Sequence, residues 1–528
     1  MTLSRDPAPA LAALAAVVGP EHVLTDEATR RAFGCDVFFD DVPPLAVVRP
    51  GSTDELAAAV RAAVAHGVAV APRGGGLSYS RGYLTGRAGS VCIDTARLNR
   101  IVAINTEDMY VHVEAGVTWE RLNDALRPHG LRTPFWGTGS GKFATVGGTL
   151  SQNAANLGTG KYGMAADSVL GLRVALADGR VLATGSWAAQ DHATPFTRWY
   201  GPDLTGLFLA DCGAFGVKAE AALQLIARPP ATDYCAFSFE TAEQFLAALS
   251  AAGRAGLHSE CFGFDPAYMA FRTTYASVGE DVARLKDIAV SQGSLLKGVK
   301  EAVAVASAGR RYLKDAGYTL HFAVDGRDPS DADAAVRELS KLCRARGGAE
   351  IPASIPKVIR ATPFPEPTTL LGPRGERWIP VHGIVPHSRA RGALDAIAKT
   401  MAARGGEIER HGIAWCWVAL PVGRSAVLIE PTIYWRDRRT VMQDMVLSAD
   451  YAARNDAHAP DPAARALVAE LRQSVAEAFR ELGAAHFQIG RTFPFMASRA
   501  PEAAATLRAL KAWLDPSGLM NPGSLGLP

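Results

Sequence analysis

The sequence contains no run of about 18 or more uninterrupted apolar residues, so it predicts no membrane-spanning helix. Its 55 basic and 53 acidic residues leave a formal net charge of +2, which gives no electrostatic case for binding nucleic acid or an anionic membrane surface. The 7 cysteines are scattered without a Cys-x-x-Cys pair, which argues against a zinc or iron–sulfur site. An odd, unpatterned set of cysteines fits a reducing cytoplasm, which is the predicted location.

The alanine-rich start, Met1 to Pro20, lacks a basic region ahead of its apolar residues. We therefore expect an ordinary first helix there rather than a signal peptide. A chain of 528 residues is too long for one ordinary core, so two or three domains are expected. The composition, 48% hydrophobic and 20% charged, is typical of a globular protein.

The pattern of predicted helices and strands changes near Pro229. Before that point short strand and helix patterns are mixed, with Ser52 and Glu55 spaced as a helix capping box. After it the helical stretches are longer, and strand patterns lie between them. The proline-rich stretch Ile351–Pro373 predicts a long surface loop. The stretch Lys286–Lys314 predicts a solvated helix face, with a partner surface as the alternative.

Three consecutive glycines, Gly74 to Gly76, follow the short apolar run Val68–Ala71. Glycine weakens whatever element contains it, but it leaves bare backbone whose N–H groups can approach a ligand. Such concave runs of amides bind phosphate oxygens. The preceding Arg73 and the hydroxyl residues that follow add donors suited to a diphosphate. A flexible surface loop is the alternative reading of a triple glycine by itself.

Two further segments rich in small residues are Thr145–Asn153 and Gly213–Val217. Gly158, Gly160 and Gly163 spell G-x-G-x-x-G, but no apolar strand leads into them and no regular helix pattern follows, so a Rossmann site is rejected. A phosphate loop at Gly137–Lys142 is also rejected because its spacing is wrong. Three separated loops of small and hydroxyl residues remain, which would let backbone close around an extended polar cofactor.

Four blocks in these regions carry a resemblance to the vanillyl-alcohol oxidase and p-cresol methylhydroxylase (PCMH) superfamily of FAD enzymes. The blocks are Pro72–Ser80; Val146–Ser151 with the turn at Asp178-Gly179-Arg180; Tyr200–Phe208 with Gly213–Val217; and Leu514–Gly523. They occur in the family's order and span most of the chain, so together they are specific.

The resemblance implies an α+β, two-domain flavoprotein with a PCMH-type FAD-binding domain and an α+β cap domain for substrate. The expected division is a helical lead-in at residues 1–39, the FAD-binding domain at 40–228, the cap at 229–490 and a C-terminal return to the FAD-binding domain at 491–528.

The resemblance also implies which residues would hold FAD. They are Arg73, Gly74, Gly75, Gly76, Leu77, Ser78, Tyr79 and Ser80 in the first loop, Thr145, Gly147, Gly148 and Ser151 in the second, Gly216 and Val217 in the third, and Asn521 near the C-terminus. No metal site is predicted. Some relatives link FAD covalently through a histidine in the first loop, where this chain has Leu77. His382 is the candidate for a covalent link from the cap, and a core or substrate-contacting role is its alternative.

Four candidate catalytic residues follow from the same resemblance. Arg491, in an Arg-Thr pair like the one that binds the substrate oxyanion in phenol oxidases, would steady a phenolate or carboxylate, with a structural ion pair as the alternative. His382 and His486 are candidates to take a proton from a substrate hydroxyl. Tyr162 belongs to a Tyr-Gly pair like that of the phenol oxidases, but Met164 stands where their aspartate base would be.

The sequence therefore predicts an FAD-dependent oxidase or dehydrogenase that transfers a hydride from an alcohol-type or phenolic benzylic carbon to the flavin. The alternatives are an FAD-linked D-2-hydroxy-acid dehydrogenase, although its Glu-His-Gly-x-Gly metal motif is missing, and a flavoprotein subunit that only relays electrons. A small-molecule substrate, an electron acceptor (oxygen, a quinone or a cytochrome) and a homodimer are expected. No nucleic acid and no membrane span are expected.

Overall fold

The computed structural model describes residues 6–269, 317–366, 374–447, 449–453 and 456–528. The predicted helix face at Lys286–Lys314 lies outside these ranges. Within them, no helix has both the length and the apolar character that crossing a membrane requires.

Local sequence signals account for the first layer of helix on sheet. The hydroxyl of Ser52 accepts a hydrogen bond from the Glu55 N–H at 3.1 Å and starts the helix Thr53–Ala65, as its capping pattern predicts. Leu56 and Val60 lie on the buried face of this helix. The first helix of the chain, Ala8–Val18, is also an ordinary one, as expected.

The described strands are numbered here in chain order: β1 (Val23–Leu24), β2 (Ala46–Val48), β3 (Val70–Arg73), β4 (Val91–Asp94), β5 (Ile101–Asn105), β6 (Tyr110–Glu114), β7 (Leu131–Arg132), β8 (Val169–Ala175), β9 (Val181–Ala183), β10 (Val217–Gln224), β11 (Ile226–Ala227), β12 (Ala231–Phe239), β13 (Glu260–Phe264), β14 (Tyr318–Gly326), β15 (Ala349–Ile351), β16 (Glu376–Pro380), β17 (Gly383–Pro386), β18 (Ala414–Val422) and β19 (Ala426–Arg436).

The described α-helices are Ala8–Val18, Glu27–Phe33, Thr53–Ala65, Trp119–Leu126, Val146–Gln152, Thr159–Tyr162, Leu204–Leu207, Ala242–Ala255, Pro329–Arg344, Ser354–Ala361, Ala390–Ala402, Gly405–Arg410, Val441–Val446, Ala449–Ala453, Pro462–Glu481 and Pro501–Leu514.

The described strands of the first part of the chain form three sheets, the smallest of which pairs β7 with β11. A four-stranded sheet has the order β1-β2-β4-β3, in which β4 is parallel to both β2 and β3. A five-stranded antiparallel sheet has the order β5-β6-β10-β8-β9. Helix Thr53–Ala65 contacts strands of both sheets. The first glycine run begins directly after β3, so the sheet fixes where that loop starts.

The second part of the chain forms one antiparallel sheet of 8 strands, in the order β15-β12-β14-β13-β18-β19-β16, with β17 also paired to β19. Helices Ala242–Ala255 and Pro329–Arg344 pack against it. The observed architecture is the expected α+β combination of an FAD-binding part and a cap part. The exact boundaries at residues 39, 228 and 490 stay predictions.

The C-terminal segment returns to the first part of the chain. The Val70 N–H donates to the Leu519 carbonyl at 2.8 Å, and the Asn521 N–H donates to the Val70 carbonyl at 2.7 Å. This segment therefore lies against β3, the strand that leads into the first glycine loop.

The prediction of a loop at Ile351–Pro373 is wrong over part of that stretch. Helix Ser354–Ala361 forms there, and Pro356 lies in its first turn. Proline is tolerated at that end of a helix because the first N–H groups have no intrahelical acceptor. Residues 367–373 of the predicted loop lie outside the described ranges.

Candidate functional site

The first and second loops touch backbone to backbone. A Cβ atom on Gly75 would lie 1.9 Å from the Phe143 carbonyl oxygen, and one on Gly74 would lie 2.2 Å from Thr145 Oγ1. Neither approach is possible for a residue with a side chain, so glycine is required at both positions. The triple glycine is therefore part of a packed junction and not a free surface loop.

The second loop enters the helix Val146–Gln152. Thr145 is the N-cap of this helix, and its hydroxyl accepts a hydrogen bond from the Gly148 N–H at 3.2 Å. A Cβ on Gly147 would lie 2.6 Å from the Ala115 Cβ, so this glycine lets the helix approach the five-stranded sheet.

The third loop runs into β10. Gly213 has φ +74°, and a Cβ there would lie 2.4 Å from Pro72 Cγ, so this loop packs against the start of the first one. A Cβ on Gly216 would lie 2.5 Å from Val174 Cγ1, which shows that Gly216 serves the packing against β8. Val217 follows as the first residue of β10.

An open cavity lies where the three loops converge. Its lining is made mainly of glycine, small and hydroxyl residues. The lining residues are Pro72, Arg73, Gly74, Gly75, Gly76, Leu77, Ser78, Gly82, Tyr83, Thr95, Ala115, Thr138, Ser140, Ala144, Thr145, Gly147, Gly148, Thr149, Ser151, Gln152, Ala154, Cys212, Val217, Lys218 and Gln488.

The lining fits a dinucleotide such as FAD. The main-chain N–H groups of residues 74–78 donate to no protein acceptor within the described ranges, so a row of amide donors remains for a ligand. A concave row of amides is the usual receptor for a diphosphate.

Most of the predicted FAD-contacting residues line this cavity. They are Arg73, Gly74, Gly75, Gly76, Leu77, Ser78, Thr145, Gly147, Gly148, Ser151 and Val217. Tyr79, Ser80, Gly216 and Asn521 are not part of the lining. The amide of Asn521 instead donates to the Gly82 carbonyl at 2.7 Å and the Cys212 carbonyl at 2.5 Å. The direct contact of each residue with FAD stays a prediction.

The guanidinium of Arg73 is engaged by the end of the helix Glu27–Phe33. Nη1 donates to the carbonyls of Phe33 at 3.2 Å and Cys35 at 3.1 Å. The guanidinium also stacks on the rings of Phe33 and Tyr83, with its carbon 4.5 and 4.8 Å from their centres. Arg73 therefore anchors the base of the first loop to this helix, whatever further contact it makes with a phosphate.

None of the four candidate catalytic residues lines the cavity. Arg491 is held by main-chain and side-chain oxygens. Its Nη1 donates to the Arg81 and Leu84 carbonyls at 2.5 and 2.7 Å, and its Nη2 donates to the side-chain Oδ1 of Asn521 at 2.6 Å. Burial lowers the pKa of this guanidinium to about 10. Arg491 thus joins the segment after the first loop to the C-terminal segment.

His382 and His486 lie together at the junction between the first loop and the cap. Their ring centres are 6.3 Å apart, and His486 Nδ1 lies 2.7 Å from the His382 carbonyl oxygen. Burial lowers the pKa of both rings, so both are neutral near pH 7. Tyr162 lies elsewhere, beside Arg132, whose guanidinium carbon is 5.5 Å from its ring centre. The structure therefore brings the two histidines together and separates Tyr162 from them.

Several lining residues were missed by the sequence analysis, among them Gln152, Cys212, Lys218 and Gln488. Gln152 lies within the second loop and Cys212 directly precedes the third, so their position along the chain was a usable signal. Burial raises the pKa of the Cys212 thiol to about 11, which keeps it uncharged. Lys218 is buried and donates to Asp211 at 2.5 Å.

Gln488 lies near the C-terminal end of the sequence, and nothing in the sequence indicated that it would line the cavity. It lies in left-handed backbone, with φ +48°, and its N–H donates to the Gln152 carbonyl at 2.7 Å. Its side-chain Oε1 accepts from Ser78 Oγ at 3.0 Å, and its Nε2 donates to Tyr79 Oη at 3.1 Å. These bonds fix the orientation of the amide and link the cavity to Tyr79.

Two family models match the chain, and both agree with this geometry. Residues 44–185 match the FAD binding domain, and residues 489–525 match the C-terminal domain of the FAD linked oxidases. The chain therefore contains an FAD binding domain and the C-terminal domain of the FAD linked oxidases. The predicted family and the predicted cofactor, FAD, are thus confirmed.

Known proteins resemble the chain in sequence and in fold. It is 32% identical to a glycolate oxidase subunit of Bacillus subtilis over 40% of its own length and 44% of that protein. It is 32% identical to a D-2-hydroxyglutarate dehydrogenase of Xanthomonas citri over 42% of its own length and 45% of that protein. The matches thus span less than half of these relatives. The fold of PCMH, solved with substrate bound, is similar with a TM-score of 0.73 and 16% identity, over 98% of this chain and 96% of that one.

No group of three or more histidine, cysteine, aspartate or glutamate side chains is arranged to hold a metal ion in the part of the chain that the structure describes. The 7 cysteines are all buried and free of disulfides.

Proposed function

We propose that this protein is an FAD-linked oxidoreductase that oxidises a CH–OH donor. The observation that carries the proposal is the cavity lined by glycine loops whose amides have no protein acceptor within the described ranges. The FAD binding domain match over residues 44–185 covers two of the three loops. The relatives named above are a glycolate oxidase subunit and a D-2-hydroxyglutarate dehydrogenase, and both names describe oxidation of a hydroxy acid.

The chain's own residues would bind and orient the cofactor. The amides of residues 74–78 would hold the diphosphate, and the second loop, around Gly147 and Gly148, would approach it from the other side. Gln152 and Gln488 would add side-chain contacts from the wall. When bound, FAD supplies a two-electron acceptor for hydride. The protein's part is to hold the donor carbon near that acceptor and to take the hydroxyl proton.

Two substrate classes are supported by different observations. A hydroxy acid is favoured by the relatives, whose names include glycolate and D-2-hydroxyglutarate. A phenolic benzylic carbon is favoured by the likeness in fold to PCMH over almost the whole of both chains. A flavoprotein subunit that only relays electrons is the alternative from another functional class.

The proposal includes an electron acceptor without choosing among oxygen, a quinone and a cytochrome. The homodimer and the cytoplasmic location also stay predictions. A covalent link from His382 is not favoured, because its Nε2 is engaged by the Phe487 carbonyl and its ring is fully buried.

The proposal is tested with the purified protein under argon. We expect a yellow protein with two visible absorption bands. Adding glycolate, D-lactate, D-2-hydroxyglutarate or 4-hydroxybenzyl alcohol should bleach these bands with at least one of the four. Hydrogen peroxide formed on readmitting air distinguishes an oxidase from a dehydrogenase.

The control is acid precipitation, which separates bound from covalently attached flavin. We expect the colour to leave the protein. A colourless protein that takes up no added FAD contradicts the proposal outright. A yellow protein whose bands bleach with dithionite but with none of the four compounds contradicts the oxidation of CH–OH donors and favours the electron-relay alternative.

A further inference from the structure

Three polar side chains meet where the first loop touches the sheet of the cap: Tyr79, His382 and Glu430. The ring centre of Tyr79 lies 6.1 Å from that of Trp378 in β16 and 6.2 Å from that of His382. Glu430 lies in β19, directly opposite Val418 of β18. Trp378 pairs with Tyr434 of β19, four residues from Glu430, so Trp378 and Glu430 share one face of the sheet and Tyr79 stands over that face.

His382 has one ring nitrogen engaged and one without a partner. Its side chain is fully buried, and Nε2 contacts the Phe487 carbonyl oxygen. A carbonyl only accepts, so Nε2 must carry the proton and Nδ1 must present a lone pair. Nδ1 has no hydrogen-bond partner in the described part of the chain, and it lies 3.9 Å from Glu430 Oε2. That distance is too long for a direct hydrogen bond.

Glu430 and Tyr79 also have hydrogen-bonding capacity that no described residue uses. Glu430 accepts no hydrogen bond from any described residue, and 22% of its side-chain surface is exposed, so a ligand can reach it. The Tyr79 hydroxyl accepts from Gln488 Nε2, and no described residue accepts its own proton. Tyr79 and His382 are buried, and buried polar groups normally find partners. Their unused capacity beside a partly exposed carboxylate indicates a polar ligand between the three side chains.

The cluster is connected to the cavity through one residue. Gln488 lines the cavity and donates to Tyr79 Oη at 3.1 Å, and Ser78, the neighbour of Tyr79, lines the same cavity. The left-handed backbone of Gln488 is a strained conformation of the kind retained at functional sites. The cluster is thus one hydrogen bond from the wall of the proposed FAD site.

We propose that Glu430 is the catalytic base that accepts the hydroxyl proton of the substrate, and that Tyr79 and His382 position that hydroxyl. The inference rests on the proposed function. The O–H proton passes to the Glu430 carboxylate, and the C–O bond becomes C=O. The hydride, with both electrons of the C–H bond, leaves to the two-electron acceptor that the FAD site supplies. Neither histidine needs to serve as the base.

The assignment predicts how the reaction depends on pH. Burial raises the pKa of the Glu430 carboxyl to about 7. Three titratable groups face this carboxyl: His382 from the turn before β17, Tyr79 from the first loop and Cys416 from β18. Burial lowers the pKa of His382 and raises the pKa values of Tyr79 and Cys416, so all three stay neutral near pH 7. Since only the ionised carboxyl accepts a proton, the rate of bleaching should rise as pH increases through about 7.

The test compares Glu430→Gln and Glu430→Asp with the unmodified protein and with Glu409→Gln, a control at an exposed glutamate. The probes are 4-hydroxybenzyl alcohol and D-lactate under argon, with FAD content and thermal unfolding measured alongside. We expect Glu430→Gln to bind FAD normally and to slow bleaching by about 100-fold or more, in line with the loss of a general base. It should also lose the rise near pH 7. Glu430→Asp should keep part of the rate.

A second readout does not depend on turnover. In the FAD-loaded protein, an infrared band of a protonated carboxyl should disappear as pH rises through about 7, and Glu430→Gln should lack that band. Bleaching of Glu430→Gln at the unmodified rate and with the same pH profile would overturn the assignment alone. Failure of the unmodified protein to bleach with either probe, or with the four compounds named above, contradicts the proposed function and this assignment with it.

Discussion

Arg491 acts in this structure as a link between distant parts of the chain. Besides the bonds to Arg81, Leu84 and Asn521, its Nη2 donates to the Pro522 carbonyl at 2.8 Å. Asn521 in turn donates to the Gly82 carbonyl. The guanidinium thus supports the segment that follows the first loop, and its donors are already used without a substrate.

Replacing Arg491 by alanine should destabilise the protein rather than only slow a reaction. Each hydrogen bond from a charged donor contributes about 1.5–3 kcal/mol, and the loss would leave several carbonyls unpaired. We expect the free energy of unfolding to fall by about 3 kcal/mol or more, measured by urea denaturation. Arg499→Ala, at an exposed arginine a short distance along the chain, is the control and should change little. Loss of turnover with unchanged stability would instead support the substrate-binding role predicted from the sequence.

Gln488 should contribute to holding FAD through its oriented amide. Gln488→Leu keeps the size of the side chain but removes its hydrogen bonds to Ser78 and Tyr79. We expect FAD to bind about tenfold more weakly, which corresponds to about 1.4 kcal/mol, as measured by fluorescence titration of the apoprotein. Gln473→Leu, on the exposed face of the helix Pro462–Glu481, is the matched control. Equal affinity of the two variants would exclude a role for the amide.

Arg491 and Gln488 show how much about a single residue could be predicted from the sequence. Arg491 could be singled out because it stands in a recognisable Arg-Thr pair, but its role depends on which carbonyls lie around it. Those carbonyls come from residues 81 to 84 and 522, which only the folded chain brings together. Gln488 belongs to no motif, so its position between Ser78 and Tyr79 could not have been predicted.

At the scale of single elements, the glycine loops work by close packing as much as by flexibility. Gly74 and Gly75 allow the first loop to touch the second, and Gly213 allows the third to touch Pro72. This packing aims the free amides of residues 74–78 into one cavity. A loop with side chains at these positions could not converge with the others.

Gly75→Ala should therefore separate the first two loops. The added Cβ would meet the Phe143 carbonyl at 1.9 Å, with backbone on both sides, so one loop must move. We expect a lower melting temperature and loss of bound FAD, measured by differential scanning fluorimetry and by flavin absorbance after gel filtration. Gly139→Ala is the control, because a Cβ there has no heavy atom within 4 Å. Normal FAD content in Gly75→Ala would contradict the packing described here.

The elements that the sequence predicted well are those set by local chemistry. Ser52 caps its helix as its spacing with Glu55 indicates, because that contact involves residues three apart. The failure at Ile351–Pro373 has the opposite cause. Prolines suggested a loop, yet Pro356 sits where a helix tolerates it, and packing of that helix against β12 and β14 decides the outcome. Tertiary contacts of this kind leave no local signal.

At the scale of the whole molecule, a buried cluster of charges joins the two parts of the chain. Arg132 of β7, from the first part, donates to Asp325 Oδ2 of β14 at 2.9 Å. Arg360 contacts Asp325 as well and lies 3.0 Å from Glu260, which also accepts from Trp136 Nε1 at 3.1 Å. Burial by itself would raise the pKa of the Asp325 carboxyl. The nearby charges of Arg360 and Arg132 outweigh this effect and hold that pKa below its ordinary value. The charges alternate in sign, and the pair between Arg132 and Asp325 crosses the junction between the two parts.

Removing Asp325 should loosen this junction. Asp325→Asn would leave Arg132 and part of Arg360 without a counter-charge in a buried setting, and breaking such a pair costs about 3–5 kcal/mol. Since the cavity is built from the first part and closed by Gln488, near the end of the predicted cap range, the variant should also release FAD more readily. The measurements are urea denaturation and FAD retention. Asp333→Asn, at an aspartate whose side chain is 51% exposed in its pair with Arg337, is the control and should lie within about 0.5 kcal/mol of the unmodified protein. If both variants unfolded alike, the charge cluster would not be what holds the cap to the FAD-binding part.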